Sequence, residues 1–358
     1  MKKIVLTGGG SAGHVTPNIA LLPRLSELGY EISYIGSHEG IEKSLIEKCG
    51  LPYYPISTGK LRRYFDLKNL SDPFRVVKGV HDARVALKEI KPDIVFSKGG
   101  FVSVPVVRAA HELKIPIVTH ESDLTPGLAN KLTSRSADVI CCNFPETMEL
   151  LPSGKAVLTG TPIRAELMNG SREKGLAFTG FSGKKPVLLV IGGSLGAASI
   201  NTAVREALPE LLTSFDIIHL CGKGKLEERL SKREGYRQYE YISEELPDLF
   251  ALADVVISRA GANAICELAA LHKPNLLIPL PATASRGDQI LNARSFENRG
   301  FSVVLEEDSL TTKTLIDSVR KLASHPEAYV EAMRASGQGD AITKITEIIE
   351  AHVKKDEY

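Results

Sequence analysis

Residues 6–21 read LTGGGSAGHVTPNIAL, and this stretch decides the fold of the first half of the chain. A short apolar strand runs into consecutive glycines, and a helix pattern begins at Thr16. The glycines satisfy G-x-G-x-x-G, the spacing of a loop that brings backbone N–H groups close to an anionic ligand at a helix N-terminus. His14 follows the last of them, so the loop also places an imidazole at the start of the helix.

Outward from this stretch, short apolar runs alternate with helical patterns along the chain. The predicted strands of the first half are KIVLTG, EISYIGS, DIVFSKGG, IPIVTHE and DVICCNF, and after residue 180 the series restarts with KPVLLVIGG, FDIIHLCG, DVVISRAG, PNLLIPLP and FSVVLEE. This alternation predicts an α/β protein with parallel sheets covered on both faces. Because the second series again opens with strand, glycine turn and helix, we expect two doubly wound, Rossmann-like domains.

The length of 358 residues suits two domains. The segment 164–184 is rich in Gly, Ser and charge, as expected for a connection between domains. We therefore expect a first domain at 1–163, a second at 164–340, and a last helix at 341–358 that packs back on the first domain. In this architecture ligands bind at the carboxyl ends of the strands, which predicts a site in a cleft between the domains.

The composition of the chain limits the classes of partner and the cellular location to be expected. The net charge of +1 gives no support for a nucleic-acid partner. The five cysteines show no C-x-x-C spacing, which favours reduced thiols in a cytoplasmic protein. The N-terminal apolar run is too short for a signal peptide, and no run reaches the roughly 20 residues that span a bilayer.

Residues 60–91 mix basic with apolar side chains, which is typical of a surface that rests on anionic headgroups. The residues of this predicted membrane patch are Lys60, Arg62, Arg63, Phe65, Phe74, Arg75 and Lys78. A helix that packs its apolar residues on the sheet explains the same pattern, so the residues alone leave both interpretations open.

The first glycine loop also has two interpretations. A nicotinamide cofactor requires an acidic residue at the end of the second strand. That strand ends at Ser37, and Glu39 and Glu42 fall inside the next helix pattern. The alternative is an anionic or sugar ligand approached by backbone N–H groups, with His14 held neutral beside the helix N-terminus as a proton acceptor. A histidine that only packs at the turn remains a further alternative.

Three more glycine loops follow predicted strands: SKGGFVSVP (97–105), GGSLGA (192–197) and SRAGANAICELAAL (258–271). Ser194 is placed to donate a hydrogen bond to a phosphate. Glu267 suits a vicinal diol such as a ribose, and a solvated helix charge is the alternative interpretation. Downstream, RGDQILNA carries three polar side chains that can contact sugar hydroxyls: Asp288, Gln289 and Asn292.

Together GGGSAGHVTP, GGFVSVP, HESDLTPGLANKL, GTPIR, GGSLGA, RAGANAICE and DQILNA resemble, in this order, the MurG family. These are the UDP-N-acetylglucosamine:N-acetylmuramyl-(pentapeptide) pyrophosphoryl-undecaprenol N-acetylglucosaminyltransferases. The resemblance implies a GT-B fold and a hexosyltransferase that moves N-acetylglucosamine to the C4 hydroxyl of lipid I, forming lipid II for peptidoglycan synthesis. It also implies a peripheral protein on the cytoplasmic face of the cell membrane, with cell-wall synthesis and division proteins as partners.

Residue by residue, the resemblance implies that His14 is the general base. The implied donor-binding positions are Ser11, Ala12, Gly13, Asp123, Arg164, Ser194, Ile242, Asn263, Ala264, Glu267 and Gln289. The loops implied for the acceptor diphosphate contain Gly10, Gly99 and Gly100. Three positions depart from the family pattern. Ala12 replaces a usual glycine, Leu195 replaces a glutamine, and Asp123 replaces an asparagine, which puts a carboxylate near the donor sugar.

The chemistry implied is a single inverting displacement, in which the base takes the proton of the acceptor hydroxyl while UDP leaves. The chain has no D-x-D motif, and a helix N-terminus with Arg164 can stabilise the leaving diphosphate. We therefore expect no obligatory metal or cofactor, with UDP-N-acetylglucosamine as a substrate. The alternatives are a UDP-N-acetylglucosamine 2-epimerase, a GT-B transferase with another acceptor, a nicotinamide-dependent oxidoreductase, or a non-catalytic nucleotide-binding module.

Overall fold

The computed structural model describes residues 1–59, 72–193, 196–284, 287–337 and 340–353. The chain divides into two compact units: unit 1 is Met1–Arg164 with Asp340–Tyr358, and unit 2 is Ala165–Gly339. Each unit is built on one parallel sheet with helices around it. The predicted α/β fold with two Rossmann-like halves is confirmed.

The sheet of unit 1 has the strand order β3-β2-β1-β4-β5-β6-β7 within the described residues. Its strands are β1 (Lys3–Thr7), β2 (Glu31–Ser37), β3 (Tyr53–Ile56), β4 (Ile94–Ser97), β5 (Ile117–Glu121), β6 (Val139–Cys142) and β7 (Ala156–Leu158), all paired in parallel. The order reverses between β1 and β4, and in open parallel sheets ligands bind outside the carboxyl ends of the strands at such a reversal.

Helices cover both faces of this sheet, so its central strands are largely buried; β1, for example, buries Ile4, Val5 and Leu6 completely. The helices of unit 1 are α1 (Thr16–Glu27), α2 (Ile41–Glu47), α3 (Asp72–Ile90), α4 (Ser103–Glu112), α5 (Leu128–Thr133), α6 (Pro145–Leu150) and the last helix, α15 (Ala341–His352).

The last helix, α15, belongs to the core of unit 1, where it packs against α1. Ile345 and Ile349 are fully buried in the same apolar cluster as the strands. At the end of the helix, Glu350 accepts hydrogen bonds from the Tyr30 hydroxyl and from the Lys2 ammonium group. The helix is therefore joined to unit 1 by apolar packing and by a shared carboxylate.

Unit 2 repeats the plan with the strand order β10-β9-β8-β11-β12-β13 in its described part. These strands are β8 (Val187–Ile191), β9 (Asp216–Leu220), β10 (Tyr236–Tyr239), β11 (Val255–Ser258), β12 (Asn275–Leu277) and β13 (Ser302–Val304). Its helices are α7 (Ala165–Met168), α8 (Arg172–Thr179), α9 (Ala198–Leu211), α10 (Leu246–Leu252), α11 (Ala262–Ala270), α12 (Asp288–Asn298), α13 (Thr312–Ser324) and α14 (Pro326–Ala335).

Three edge strands, β3, β7 and β10, were not predicted from the sequence. Each is three or four residues long and at most half buried along much of its length, so it lacks the continuous apolar run of a central strand. The segment expected to connect the domains forms α7 and α8. The Ser171 hydroxyl accepts the Lys174 N–H at the start of α8, and Gly180 ends the helix with φ +69°.

Most of the predicted membrane patch lies outside the described residues: this applies to Lys60, Arg62, Arg63 and Phe65, and to the side chain of Phe74. Arg75 and Lys78 are exposed on α3. None of the helices in the described ranges is long and apolar enough to cross a membrane.

Replacing Ile345 by alanine tests the role of α15 in unit 1. Because Ile345 is fully buried, we expect Ile345→Ala to lower the free energy of unfolding by about 3 kcal/mol. The matched control is Thr343→Ala on the exposed face of the same helix, which should change it by less than about 0.5 kcal/mol. Chemical denaturation of the full chain measures both, and equal effects would contradict this account of the packing.

Candidate active site

In unit 1 two glycine loops approach each other at the carboxyl ends of β1 and β4. Gly10 has φ +85°, and a Cβ added there would overlap the ring of Phe101 from the second loop. Gly100 has φ +79°, and its Cβ would overlap the carbonyl oxygen of Gly9 while lying 3.3 Å from His14 Nδ1. Glycine is required at both positions by backbone conformation and by space. The structure therefore brings the predicted acceptor loops together with His14.

The first loop is held from below by a carboxylate that the sequence did not single out as a support. Glu42 is fully buried, and its oxygens accept the N–H of Gly10 at 3.2 Å, the N–H of Ser37 at 3.3 Å and the hydroxyl of Ser37. A Cβ at Gly9 or Gly40 would overlap this carboxylate, so glycine makes the room for it. Glu42 thus binds the protein's own loop.

His14 ends a short 3-10 turn, Ala12–His14, immediately before α1. Its ring is half buried, and its Nδ1 lies 2.8 Å from the Ser11 hydroxyl. When Nδ1 donates to this hydroxyl, Nε2 is the nitrogen that can accept a proton. Ser11 and Ala12 are exposed and Gly13 is half buried. This geometry is compatible with acid–base chemistry at the loop.

A second polar group lies at the ends of β4 and β5. Lys98 is 1% exposed, and its Nζ donates to His120 Nδ1 at 2.7 Å and to the Ser122 hydroxyl. His120 donates from Nε2 to the carbonyl oxygen of Gly160 at 2.8 Å. Burial, with the nearby Lys98 charge, holds the pKa of His120 well below its usual value, so the ring is neutral.

Glu121 organises the loop that carries Asp123. Its carboxylate accepts the N–H of Asp123 at 3.0 Å, the N–H of Gly127 at 2.8 Å and the amide of Asn130 at 2.7 Å. Burial raises the pKa of Glu121, and the neighbouring Asp123 charge adds to the rise. A Cβ at Gly99 would overlap the side chain of Asn130, which links this loop to the second glycine loop. Asp123 itself is half buried.

One sequence signal could have drawn attention to Lys98 and Glu121 as supporting residues. Lys98 and Glu121 both stand where an apolar strand ends, at the edge where ligands bind in parallel sheets.

Arg164, the last residue of unit 1, is half buried, and its Nε is buried without a hydrogen-bond partner within the described ranges.

In unit 2 a glycine loop joins β8 to α9. Gly193 has φ +87° and Gly196 has φ +67°, and a Cβ at Gly196 would overlap the carbonyl oxygen of Cys221. The Lys225 ammonium group donates to the Gly196 carbonyl at 3.2 Å, which puts a cation against the loop. Ser194 and Leu195, predicted here, lie outside the described residues.

A buried chain of hydrogen bonds supports this loop. The Asn201 amide donates to the Cys221 carbonyl at 2.8 Å, and its oxygen lies 2.9 Å from His219 Nε2. On the other side of the ring, Nδ1 lies 2.9 Å from the Tyr236 hydroxyl. Burial lowers the pKa of His219 to about 3, and the charge of Arg205 adds to the effect. His219 is therefore a neutral structural histidine.

The predicted donor-binding residues of α11 share one side of that helix. Asn263, Ala264 and Glu267 are half buried, whereas their neighbours Ile265, Cys266 and Leu268 are buried. The spacing of three and four residues places the three on one partly exposed face of the helix.

Gln289, in the first turn of α12, has its side chain oriented by the backbone. Its Oε1 accepts the N–H of Leu280 at 3.1 Å, so its NH₂ group remains as the donor. Ile242 is half buried in the loop after β10. Within the described residues, no cluster of three or more His, Cys, Asp or Glu side chains has the arrangement of a metal site.

Comparisons with known proteins assign a family to both halves of the chain. Residues 4–141 match the Glycosyltransferase family 28 N-terminal domain, and residues 187–351 match the Glycosyltransferase family 28 C-terminal domain. The chain is 62% identical, over 99% of its length and 100% of the relative's, to the UDP-N-acetylglucosamine--N-acetylmuramyl-(pentapeptide) pyrophosphoryl-undecaprenol N-acetylglucosamine transferase of Lachnospira eligens.

Solved structures give the same assignment of the fold. The Acinetobacter baumannii MurG crystal structure is 27% identical, with a TM-score of 0.80 over 98% of this chain and 100% of that chain. The UDP-GlcNAc 2-epimerase from Neisseria meningitidis bound to UDP-GlcNAc aligns over 98% of this chain and 100% of that chain, with a TM-score of 0.67 at 16% identity. The second likeness extends to the fold alone.

Two family 28 domains in sequence, each with its glycine loop at the carboxyl edge of a parallel sheet, define a glycosyltransferase of the GT-B fold. Within that class, the chain belongs to the family of the UDP-N-acetylglucosamine--N-acetylmuramyl-(pentapeptide) pyrophosphoryl-undecaprenol N-acetylglucosamine transferases, the MurG family.

A pair of glycine substitutions tests the contact between the two loops of unit 1. Gly100→Ala and Gly154→Ala impose similar backbone strain, because φ is +79° and +78°, but only Gly100 has atoms within 4 Å of the new Cβ. Gly154→Ala should cost about 1–2 kcal/mol of unfolding free energy. Gly100→Ala should cost more and also shift the NMR signals of the His14 ring. Unchanged His14 signals in Gly100→Ala would contradict the contact.

Proposed function

We propose that this chain transfers N-acetylglucosamine from UDP-N-acetylglucosamine to the muramyl C4 hydroxyl of lipid I, forming lipid II. The observation that carries the proposal is the 62% identity, over 99% of this chain, to a transferase named for that specificity. The same identity favours transfer over 2-epimerisation, because the likeness to the epimerase is one of fold only.

We assign donor binding mainly to unit 2. The glycine loop after β8, with Lys225 against it, supplies backbone N–H groups and positive charge for the diphosphate. Glu267 accepts from the ribose hydroxyls, and the NH₂ group of Gln289, oriented by Leu280, donates to a sugar hydroxyl. Ser194, Ile242, Asn263 and Ala264 complete this proposed donor set.

We assign acceptor binding and the base to unit 1. Glycines 10, 99 and 100 let backbone approach the acceptor diphosphate, and His14 takes the proton of the acceptor hydroxyl through Nε2. The Ser11 hydroxyl fixes the ring by accepting from Nδ1. Asp123, also in unit 1, contributes to binding of the donor sugar.

The reaction is one displacement with inversion. The acceptor oxygen forms a bond to the anomeric carbon as its proton passes to His14, and the bond from that carbon to the UDP oxygen breaks. Negative charge develops on the departing diphosphate, where Arg164 and the loop before α9 stabilise it. The buried Nε of Arg164, which has no partner in the described part of the chain, is suited to an incoming phosphate oxygen. No metal or cofactor is assigned to any step.

We further propose that the protein works as a peripheral protein on the cytoplasmic face of the membrane. A polyprenyl-linked acceptor requires such a location, and exposed Arg75 and Lys78 on α3 are suited to anionic headgroups. Proteins of cell-wall synthesis and division are the partners that this location offers.

The decisive assay is transfer of labelled N-acetylglucosamine from its UDP donor to a short-chain lipid I analogue, with a chelator present. His14→Ala should lower kcat by about 10²–10⁴ because the general base is lost, while UDP binding persists. The matched control is His111→Ala, which removes an exposed histidine of the same unit. Wild type that binds donor but leaves the analogue untouched, or releases the 2-epimer of the donor sugar, would overturn the proposed function.

The same assay tests the donor site. Glu267→Ala should raise the donor KM by about tenfold or more with a smaller change in kcat, because a hydrogen bond from a ribose hydroxyl to a charged group is lost. Glu331→Ala removes an exposed glutamate from α14 of the same unit and should leave KM unchanged. An unchanged donor KM in Glu267→Ala would remove this residue from the donor site.

A further inference from the structure

Lys98 is a buried cation that the proposed mechanism does not use. It directly follows β4, and its backbone N–H donates to the carbonyl oxygen of Thr7 at the end of β1. Its side chain is 1% exposed, although lysine is almost never fully buried without a specific partner. Lys98 therefore lies at the reversal of strand order, in the second glycine loop of unit 1 and beside the first.

The first partner of Lys98 is a histidine whose tautomer is fixed. His120 Nε2 lies 2.8 Å from the Gly160 carbonyl, which can only accept, so Nε2 carries the proton. The unprotonated Nδ1 must then accept, and the Lys98 ammonium group donates to it at 2.7 Å. The arrangement requires a donor at position 98 and a neutral ring at position 120.

The second partner connects Lys98 to the loop that carries Asp123. Its ammonium group donates to the hydroxyl of Ser122, the residue before Asp123. The Asn143 amide donates to the Ser122 carbonyl at 2.9 Å, and Glu121 accepts the Asp123 N–H from the other side. The start of this loop is thus held between an ammonium group and a carboxylate.

The charges in this cluster also favour a cation. Glu121 and Asp123 carry two carboxyl groups two residues apart, and the charge of Asp123 opposes ionisation of Glu121. The buried ammonium group of Lys98, bonded to Ser122 between them, is opposite in sign to both carboxylates and therefore offsets their repulsion, because electrostatic interactions are stronger away from water. Replacing it by a neutral group would leave both carboxyl groups without this compensation.

We propose that Lys98 is a positioning residue for the transfer reaction: its hydrogen bonds to His120 and Ser122, together with its charge, hold the Asp123 carboxylate in place at the donor sugar. The inference rests on the proposed function for the role of Asp123 at the donor. The hydrogen bonds of Lys98 to His120 and Ser122 are present in the structure whatever the role of Asp123.

The test is a double-mutant cycle of Lys98→Met with Asp123→Asn, assayed for transfer and for binding of UDP and UDP-N-acetylglucosamine. Lys98→Met alone should lower kcat/KM for the donor by about tenfold, since hydrogen bonds to a charged group are lost. In the Asp123→Asn background the same substitution should cost at most about a third of that factor, because no carboxylate remains to be held. Affinity for UDP should not change.

Lys98→Gln runs through the same cycle, since it keeps a donor without the charge and protects the test if the methionine variant does not fold. Lys48→Met, which removes an exposed lysine of unit 1, is the matched control. A loss below about threefold, or an equal loss in both backgrounds, overturns the proposal. If wild type binds UDP-N-acetylglucosamine without transferring it, the proposed function fails. The double-mutant cycle is then evaluated from binding, as the ratio of the affinity for UDP-N-acetylglucosamine to the affinity for UDP. If the effects of the two substitutions on this ratio are additive, the proposed role of Lys98 is wrong.

Discussion

The close approach of two loops in unit 1 is the constraint on which its site depends. The Gly9 carbonyl occupies the space that a Cβ of Gly100 would need, and Phe101 occupies the space above Gly10. Only backbones without side chains can come together in this way at the carboxyl ends of β1 and β4. The His14 ring lies next to this contact, because a Cβ at Gly100 would come within 3.3 Å of its Nδ1.

Each unit supports its loops with buried polar groups that have no further chemistry to perform. In unit 1 the Glu42 carboxylate binds the N–H of Gly10, and in unit 2 Asn201 binds the carbonyl of Cys221 under Gly196. The buried histidines of the two units, His120 and His219, have both ring nitrogens engaged and pKa values lowered by burial. Unsatisfied polar groups are costly away from water, so these networks also make each loop conformation specific.

The sequence predicted those parts of the fold and site that depend on local pattern. Apolar runs followed by glycine predicted the central strands and the loops with Gly10, Gly99 and Gly100, because steric demand there acts on the residue itself. The short edge strands were missed, because a half-buried strand such as β7 needs few apolar residues. Lys98 and Glu121 were missed because their importance comes from partners 20 or more residues away or across a turn, and no local pattern encodes such pairings.

Of the three carboxylates near the loops of unit 1, the one at position 123 differs from the other two in its surroundings. Glu42 and Glu121 are both buried, and their oxygens bind backbone N–H groups, so neither is available to take a proton from a substrate. Asp123 follows Glu121 by two residues and is half buried, so its carboxylate can meet solvent and ligand. An asparagine at this position would present a neutral amide to the same loop. A carboxylate there carries a negative charge, and the ammonium group of Lys98, of opposite sign, is hydrogen-bonded to the adjacent Ser122. If Lys98 has the positioning role proposed above, the departure at position 123 and the buried lysine at position 98 form one electrostatic arrangement.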